Sequence, residues 1–220
     1  MLIVQRRVGE RIVMSNGVEI TVAAVTKRGV RLAMHVPNGI VVLRGEVHDA
    51  ITAANVAASS TSFETSVSEP TLHVKRKVIM QLSGTRFGQI EVDDTKVITL
   101  NTGLIGFPGE TRFVLLKPSE GQSVSWLQSL STPELAFPVV DGGSIAGGYA
   151  TNSVKDVAQQ ATINTKDMSV LVIVAPRPGE SKLVANLLAP IVVDAQSRQG
   201  TQVVLDSKRY SAATPIAAVA

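Results

Sequence analysis

Short apolar runs separated by glycine-ended turns occupy the first 45 positions of the chain. The runs are Leu2–Arg7, Arg11–Met14, Val18–Val25, Val30–His35 and Ile40–Leu43. Ser15-Asn16-Gly17, Lys27-Arg28-Gly29 and Pro37-Asn38-Gly39 lie between them, each ending in a residue that enters the left-handed region cheaply. This pattern predicts five strands. After Gly45 the period lengthens: Val47, Ile51 and Asn55 recur every four residues in an alanine-rich stretch, which predicts a short helix to about residue 57. Residues 58–71 are dominated by Ser and Thr with one proline and read as a flexible linker reaching roughly 20 Å.

From residue 72 short strands resume. They are expected at Val74–Leu82, Gln89–Val92, Lys96–Leu100, Phe113–Leu116, Val124–Leu127, Phe137–Val140, Val170–Ala175, Leu183–Leu188, Ile191–Val193 and Gln202–Leu205. Such spacing suggests an antiparallel barrel or sandwich. One helix is expected at about Ser153–Gln160, where Ser153 and Asp156 form a capping-box pair. The chain is thus expected to be mainly β, with a small domain at 1–57, a linker at 58–71 and a second domain at 72–220.

Composition narrows the chemistry. The formal charge is +3, and residues 1–60 hold seven Lys/Arg against four acids, so the whole excess lies in the first domain. That is where a nucleic-acid partner would be sought. There is no cysteine, and the three histidines, His35, His48 and His73, are far apart in sequence, so neither thiol chemistry nor a metal site is expected. No nucleophile with a base can be assembled, and no catalytic residue or cofactor is expected. The opening residues lack the order of a signal peptide, and no apolar stretch nears the roughly 20 residues that span a bilayer. A cytoplasmic protein without membrane association is expected. Gly103, Gly106 and Gly109 lack the strand-to-helix context of a phosphate loop and are read as turn glycines. Trp126 is read as core, Asp93-Asp94 and Asp141-Gly142-Gly143 as turns, and Lys75-Arg76-Lys77 as a solvated edge.

Met-Leu-Ile-Val-Gln-Arg-Arg-Val-Gly-Glu at 1–10, Pro37, and Val-Leu-Arg-Gly-Glu-Val at 42–47 align without gaps to the carbon storage regulator (CsrA) family, which residues 1–57 resemble throughout. Three positions depart from it: Val4, Leu43 and Gly45 stand where leucine, histidine and glutamate are usual. The resemblance implies a homodimer in which the first strand of one subunit pairs with the fifth of the other. Physics favours such an arrangement, because a 60-residue sheet alone leaves open edges and little core. It further implies binding of GGA in single-stranded or hairpin-loop mRNA leaders, blocking translation initiation, and no DNA partner. Arg7 and Arg44 carry over as the main cationic contacts, Arg6 as a supporting one, with Val4 and Val42 as the apolar surface beside them.

Residues 72 to about 210 resemble the flagellar assembly factor FliW. The stretches that carry it are 84–90 (Gly-Thr-Arg-Phe-Gly-Gln-Ile), 103–109 (Gly-Leu-Ile-Gly-Phe-Pro-Gly), 112–116, 126–129, 135–137 and 185–193 (Ala-Asn-Leu-Leu-Ala-Pro-Ile-Val-Val). This resemblance implies a small β-barrel that binds flagellin and antagonises the carbon storage regulator. Val47, Ile51 and Asn55 are the candidates for contacting the second domain; Val47 and Ile51 are also expected to pack on the sheet, which makes the polar Asn55 the better candidate. The combined reading is a regulator of flagellin synthesis carrying its own antagonist. Two rivals stand beside it: a flagellin-binding chaperone whose first domain only dimerises, and a general RNA regulator whose second domain is structural. Retained Arg7 and Arg44 argue against the first, and the intact FliW-like stretches against the second.

Overall fold

The computed structural model describes residues 2–37, 40–61, 79–117, 123–145, 149, 154–155, 158, 166–176 and 183–216. The chain divides into two compact units, Met1–Arg44 and Gly45–Ala220.

The first unit is an antiparallel sheet of β1 (Arg11–Val13), β2 (Glu19–Thr26) and β3 (Gly29–His35), in that order. Lys27 and Arg28 form the β2–β3 turn, closed by the pair Thr26 and Gly29, where Gly29 takes φ +145°. Five strands were expected, and the single chain forms three: residues 2–7 and 40–44 carry no strand. Neither segment joins a β-ladder of the one chain, so their alternating pattern stays unpaired among the described residues. Ile20 is opposite Met34 and Val22 opposite Leu32 across the ladder, yet Leu32 and Met34 remain about half exposed. Val18 is the one buried hydrophobic side chain among the described residues of this unit. A sheet with so little core is not self-sufficient.

The second unit begins with α1 (Gly45–Ser59). The hairpin of β4 (Ile79–Thr85) and β5 (Gly88–Asp93) follows. The barrel strands are β6 (Ile98–Leu100), β7 (Arg112–Leu116), β8 (Ser125–Ser129), β9 (Ala136–Asp141), β10 (Met168–Pro176), β12 (Ile191–Asp194) and β13 (Gln199–Gln202). They run β12-β13-β6-β7-β8-β9-β10, and β10 pairs back onto β12 to close a seven-stranded ring. Strand β10 is long enough to serve three partners: its start pairs with β12, its middle with β9, and its end with β11 (Leu183–Ala185). A last strand, β14 (Thr214–Ile216), extends the sheet beyond β11.

The core explains why these runs form strands. Phe113, Leu127, Phe137, Val139, Leu171, Ile173, Ile191 and Val193 alternate inward and pack in one cluster, with Phe107 edge-on to Phe137 at 5.2 Å. The mainly-β expectation holds, with corrections. The barrel is not wholly antiparallel, because β13 and β6 run parallel. The strand expected at 202–205 lies earlier, at Gln199–Gln202, and β14 was not anticipated. Lys96 belongs to a 3-10 turn, Asp94–Lys96, capped by the Asp93 carboxylate, and Asp141 caps the turn Gly142–Ser144 in the same way. Val154, Lys155 and Ala158 have helical backbone; the Ser153 and Asp156 pair, residues 62–71 of the expected linker, and Lys75-Arg76-Lys77 lie outside the described residues.

Candidate functional site

Helix α1 is where chemistry concentrates. Gly45 stands at its first position, where a glycine costs less than in the interior, and Glu46 places negative charge in the first turn. Ile51, Asn55 and Ala58 are buried at i, i+4 and i+7, so one face of the helix lies on the barrel. Ile51 packs with Leu188 and Ala189, and Val47, Ile105, Val204 and Tyr210 border that cluster. Ala58 reaches the barrel core itself.

A polar residue at the centre of this apolar face needs partners, and Asn55 has them. It is fully buried, and its Nδ2 donates to the Ile105 carbonyl at 2.9 Å and to Gln202 Oε1 at 3.2 Å. Its Oδ1 accepts from Asn186 Nδ2 at 3.3 Å, with Gln202 Nε2 at 3.5 Å. Gln202 is tied down in turn: its Oε1 accepts from the Ile105 N–H at 2.9 Å and its Nε2 donates to the Ala189 carbonyl at 2.9 Å. Asn186 Oδ1 accepts from the Ala189 N–H at 3.1 Å. Three buried amides and two loops thus satisfy one another, a network that leaves little room for an alternative side chain.

The loop at 101–109 approaches the helix closely. Gly106 sits at φ +88°, and a Cβ there would lie 2.8 Å from Thr52 Cγ2. Glycine is required on both counts. Thr52 Oγ1 is buried there without a hydrogen-bond partner.

At the other end of the helix, Arg86 projects from the β4–β5 turn. Its guanidinium donates to the carbonyls of Ser59 (2.7 Å), Thr61 and Glu134 (3.5 Å). The same group lies 5.0 Å over the Trp126 ring, which Phe87 meets edge-on at 5.3 Å. Burial lowers the Arg86 pKa from the ordinary arginine value, though arginine stays charged. The turn is braced by Thr85, whose Oγ1 donates to the Gly88 carbonyl at 2.6 Å and accepts from the Phe87 N–H at 3.1 Å. Residues 58–61, assigned from composition to the linker, therefore close the helix: Ala58 and Thr61 are buried, and Ser59 is the last helical residue.

The expected RNA-contacting residues belong to the first unit. Val4 and Val42 are 39% and 46% exposed, alongside the more exposed Leu2, Ile3 and Val41. Arg6 donates to the carbonyls of Gln5 at 2.9 Å and Arg11 at 3.3 Å. Arg7 and Arg44 are exposed, and their guanidinium groups have no ion pair or hydrogen bond among the described residues. The described residues contain no group of three potential metal ligands and no helix long and apolar enough to cross a membrane.

A family model described as FliW protein matches residues 81–216, more than half the chain. The chain belongs to the FliW family. A second model, the global regulator protein family (CsrA), matches residues 1–53. The flagellar assembly factor FliW of Geobacter sulfurreducens is 37% identical over 137 residues, covering 62% of this chain and 86% of that protein. FliW of Magnetococcus marinus is 33% identical, covering 62% and 85%. A crystal structure of the flagellar assembly factor FliW superposes with TM-score 0.54 at 28% identity, covering 62% of this chain and 96% of the other. The chain is therefore a CsrA-like module at 1–53 joined to a FliW module at 81–216. The FliW-like stretches 84–90, 103–109 and 185–193 contribute Arg86, Ile105 and Asn186 to the grip on α1, and most of α1 lies in the CsrA span. Sequence reasoning singled out Asn55 but not Gln202, Asn186 or Arg86. Two of those three sit in the stretches that carry the family resemblance, which was the available signal.

Proposed function

We propose that this FliW-family chain is a post-transcriptional regulator of flagellin synthesis. Its CsrA module binds GGA motifs in mRNA leaders as a homodimer, and its FliW module restrains that module and releases it when flagellin competes. The observation that carries this reading is the burial of Asn55 in the amide network: a helix that begins within the CsrA span is held by the barrel through contacts specific to its side chains. The guanidinium groups of Arg7 and Arg44, exposed and without a partner among the described residues, suit phosphate contacts or stacking on base planes. The exposed apolar segments 2–4 and 41–42 suit pairing with a second copy.

Tethering favours the restrained state. Two modules joined in one chain by a short tether reach effective concentrations on the order of millimolar, so even a micromolar contact is nearly saturated. The test measures GGA-hairpin affinity for residues 1–61, for the full chain, and for the full chain with excess flagellin. Weaker binding by the full chain, restored by flagellin, is expected. Equal affinities in all three samples would defeat the restraint.

A further inference from the structure

Helix α1 presents a C-terminus with no basic residue in its last turn. Such an end leaves several carbonyls without intrahelical partners and a partial negative charge. Most of these carbonyls are answered locally. The Val56 carbonyl accepts from Ser59 Oγ at 2.9 Å and Ser60 Oγ at 3.2 Å, Ala57 from Thr61 Oγ1 at 3.0 Å, and Ala58 from the Thr61 N–H at 3.1 Å. The Ser59 and Thr61 carbonyls are answered from the barrel by Arg86.

We propose that Arg86 is the positioning residue of the docking site: a guanidinium fork that recognises the carbonyls at and just past the C-terminus of α1 and sets where along the barrel that helix ends. Its place is prepared from the barrel side. The β4–β5 turn holds the backbone, the Trp126 face supports the cation at 5.0 Å, and Glu134 offers a third carbonyl. The fork reads backbone, so it is indifferent to the side chains at 59 and 61 and sensitive to where the helix stops. Asn55, four residues before Ser59, supplies the side-chain reading one turn away. Two anchors one turn apart act as a ruler: a helix that ran on past position 61 would bond its own carbonyls and leave the fork unpaired. A lysine could supply the charge but not two parallel donors.

This deepens the proposed restraint by naming how the same site selects its helix, and it rests on that reading. The test compares the full chain with Arg86→Gln and Arg86→Lys by hydrogen exchange, following amides of 45–59 and, as an internal control, of β8–β10. Loss of two charge-assisted bonds should lower α1 protection by about tenfold or more in Arg86→Gln, with partial recovery in Arg86→Lys and unchanged barrel strands. Unchanged α1 protection in Arg86→Gln overturns the assignment. So does equal loss in the barrel strands, which would make Arg86 a general stabiliser, and so does full recovery with lysine, which would make the fork irrelevant. GGA-hairpin affinity on the same samples separates the two claims: an undocked helix with unchanged RNA affinity upholds the positioning role and sinks the restraint.

Discussion

Asn55→Asp places a carboxylate where a neutral amide donates. At neutral pH the new group has no proton to give, yet it faces the Ile105 carbonyl and Gln202 Oε1, the acceptors now at 2.9 and 3.2 Å. Two buried hydrogen bonds go, at about 1 kcal/mol each, and the Ile105 carbonyl is left unpaired, costing about 1–3 kcal/mol more. Gln202 Oε1 keeps its bond from the Ile105 N–H. The sum, about 3–5 kcal/mol, is a lower bound because desolvating the charge adds to it. A micromolar contact at millimolar effective concentration is favoured about a thousandfold, or about 4 kcal/mol. The substitution should therefore take the docked fraction from nearly complete to between about 85% and about 15%, with charge desolvation lowering it further. Hydrogen exchange on the full chain reads this directly: amides of α1 lose protection, while β8–β10 keep theirs. The reaction to pH supplies a second check. Burial and facing acceptors raise the introduced carboxyl's pKa in the docked state above its free value of about 3.9. Docking is thus fully favoured below about pH 4, where the protonated acid can donate to Ile105, and is lost as pH rises through the raised docked value. A variant that protects α1 like the parent at pH 7, with no pH dependence, would refute the reasoning.

Arg44→Ala should weaken GGA-hairpin binding by about 1–3 kcal/mol in a gel-shift titration without changing the oligomeric state; unchanged affinity removes Arg44 from the interface. The full chain should sediment as a dimer, and Val42→Asp should shift it toward monomer, since an exposed apolar strand segment would then carry a charge into the pairing surface. Thr52→Val removes a buried hydroxyl that has no partner and should stabilise the docked helix by about 1 kcal/mol, read as higher α1 protection. Gly106→Ala meets both a left-handed backbone and Thr52 Cγ2, so it should destabilise docking by about 1–3 kcal/mol; Thr52→Ala in the same chain should recover only the steric part.

Much of this architecture is legible from residues alone because it depends on local rules. Period-2 alternation with glycine-ended turns marks β2, β3 and most barrel strands, and the four-residue recurrence of Val47, Ile51 and Asn55 marks α1. The same recurrence singles out Asn55, since an amide on an apolar stripe must find partners somewhere. Composition locates the excess basic charge, and the Arg-Arg and Val-Leu-Arg stretches carry the family resemblance. What local rules do not carry is which surfaces meet. Gln202, Asn186 and Ile105 are 147, 131 and 50 residues from Asn55, and only barrel closure through β10 and β12 brings such distant stretches together. Ser59, Ser60 and Thr61 read as linker because hydroxyl-rich sequence resembles coil; they terminate a helix because those hydroxyls bond its last carbonyls and Arg86 reaches across to finish the set. Segments 2–7 and 40–43 have the pattern of strands, but a strand exists only where another backbone lies beside it. Pattern specifies which face a side chain takes; tertiary packing decides what that face touches.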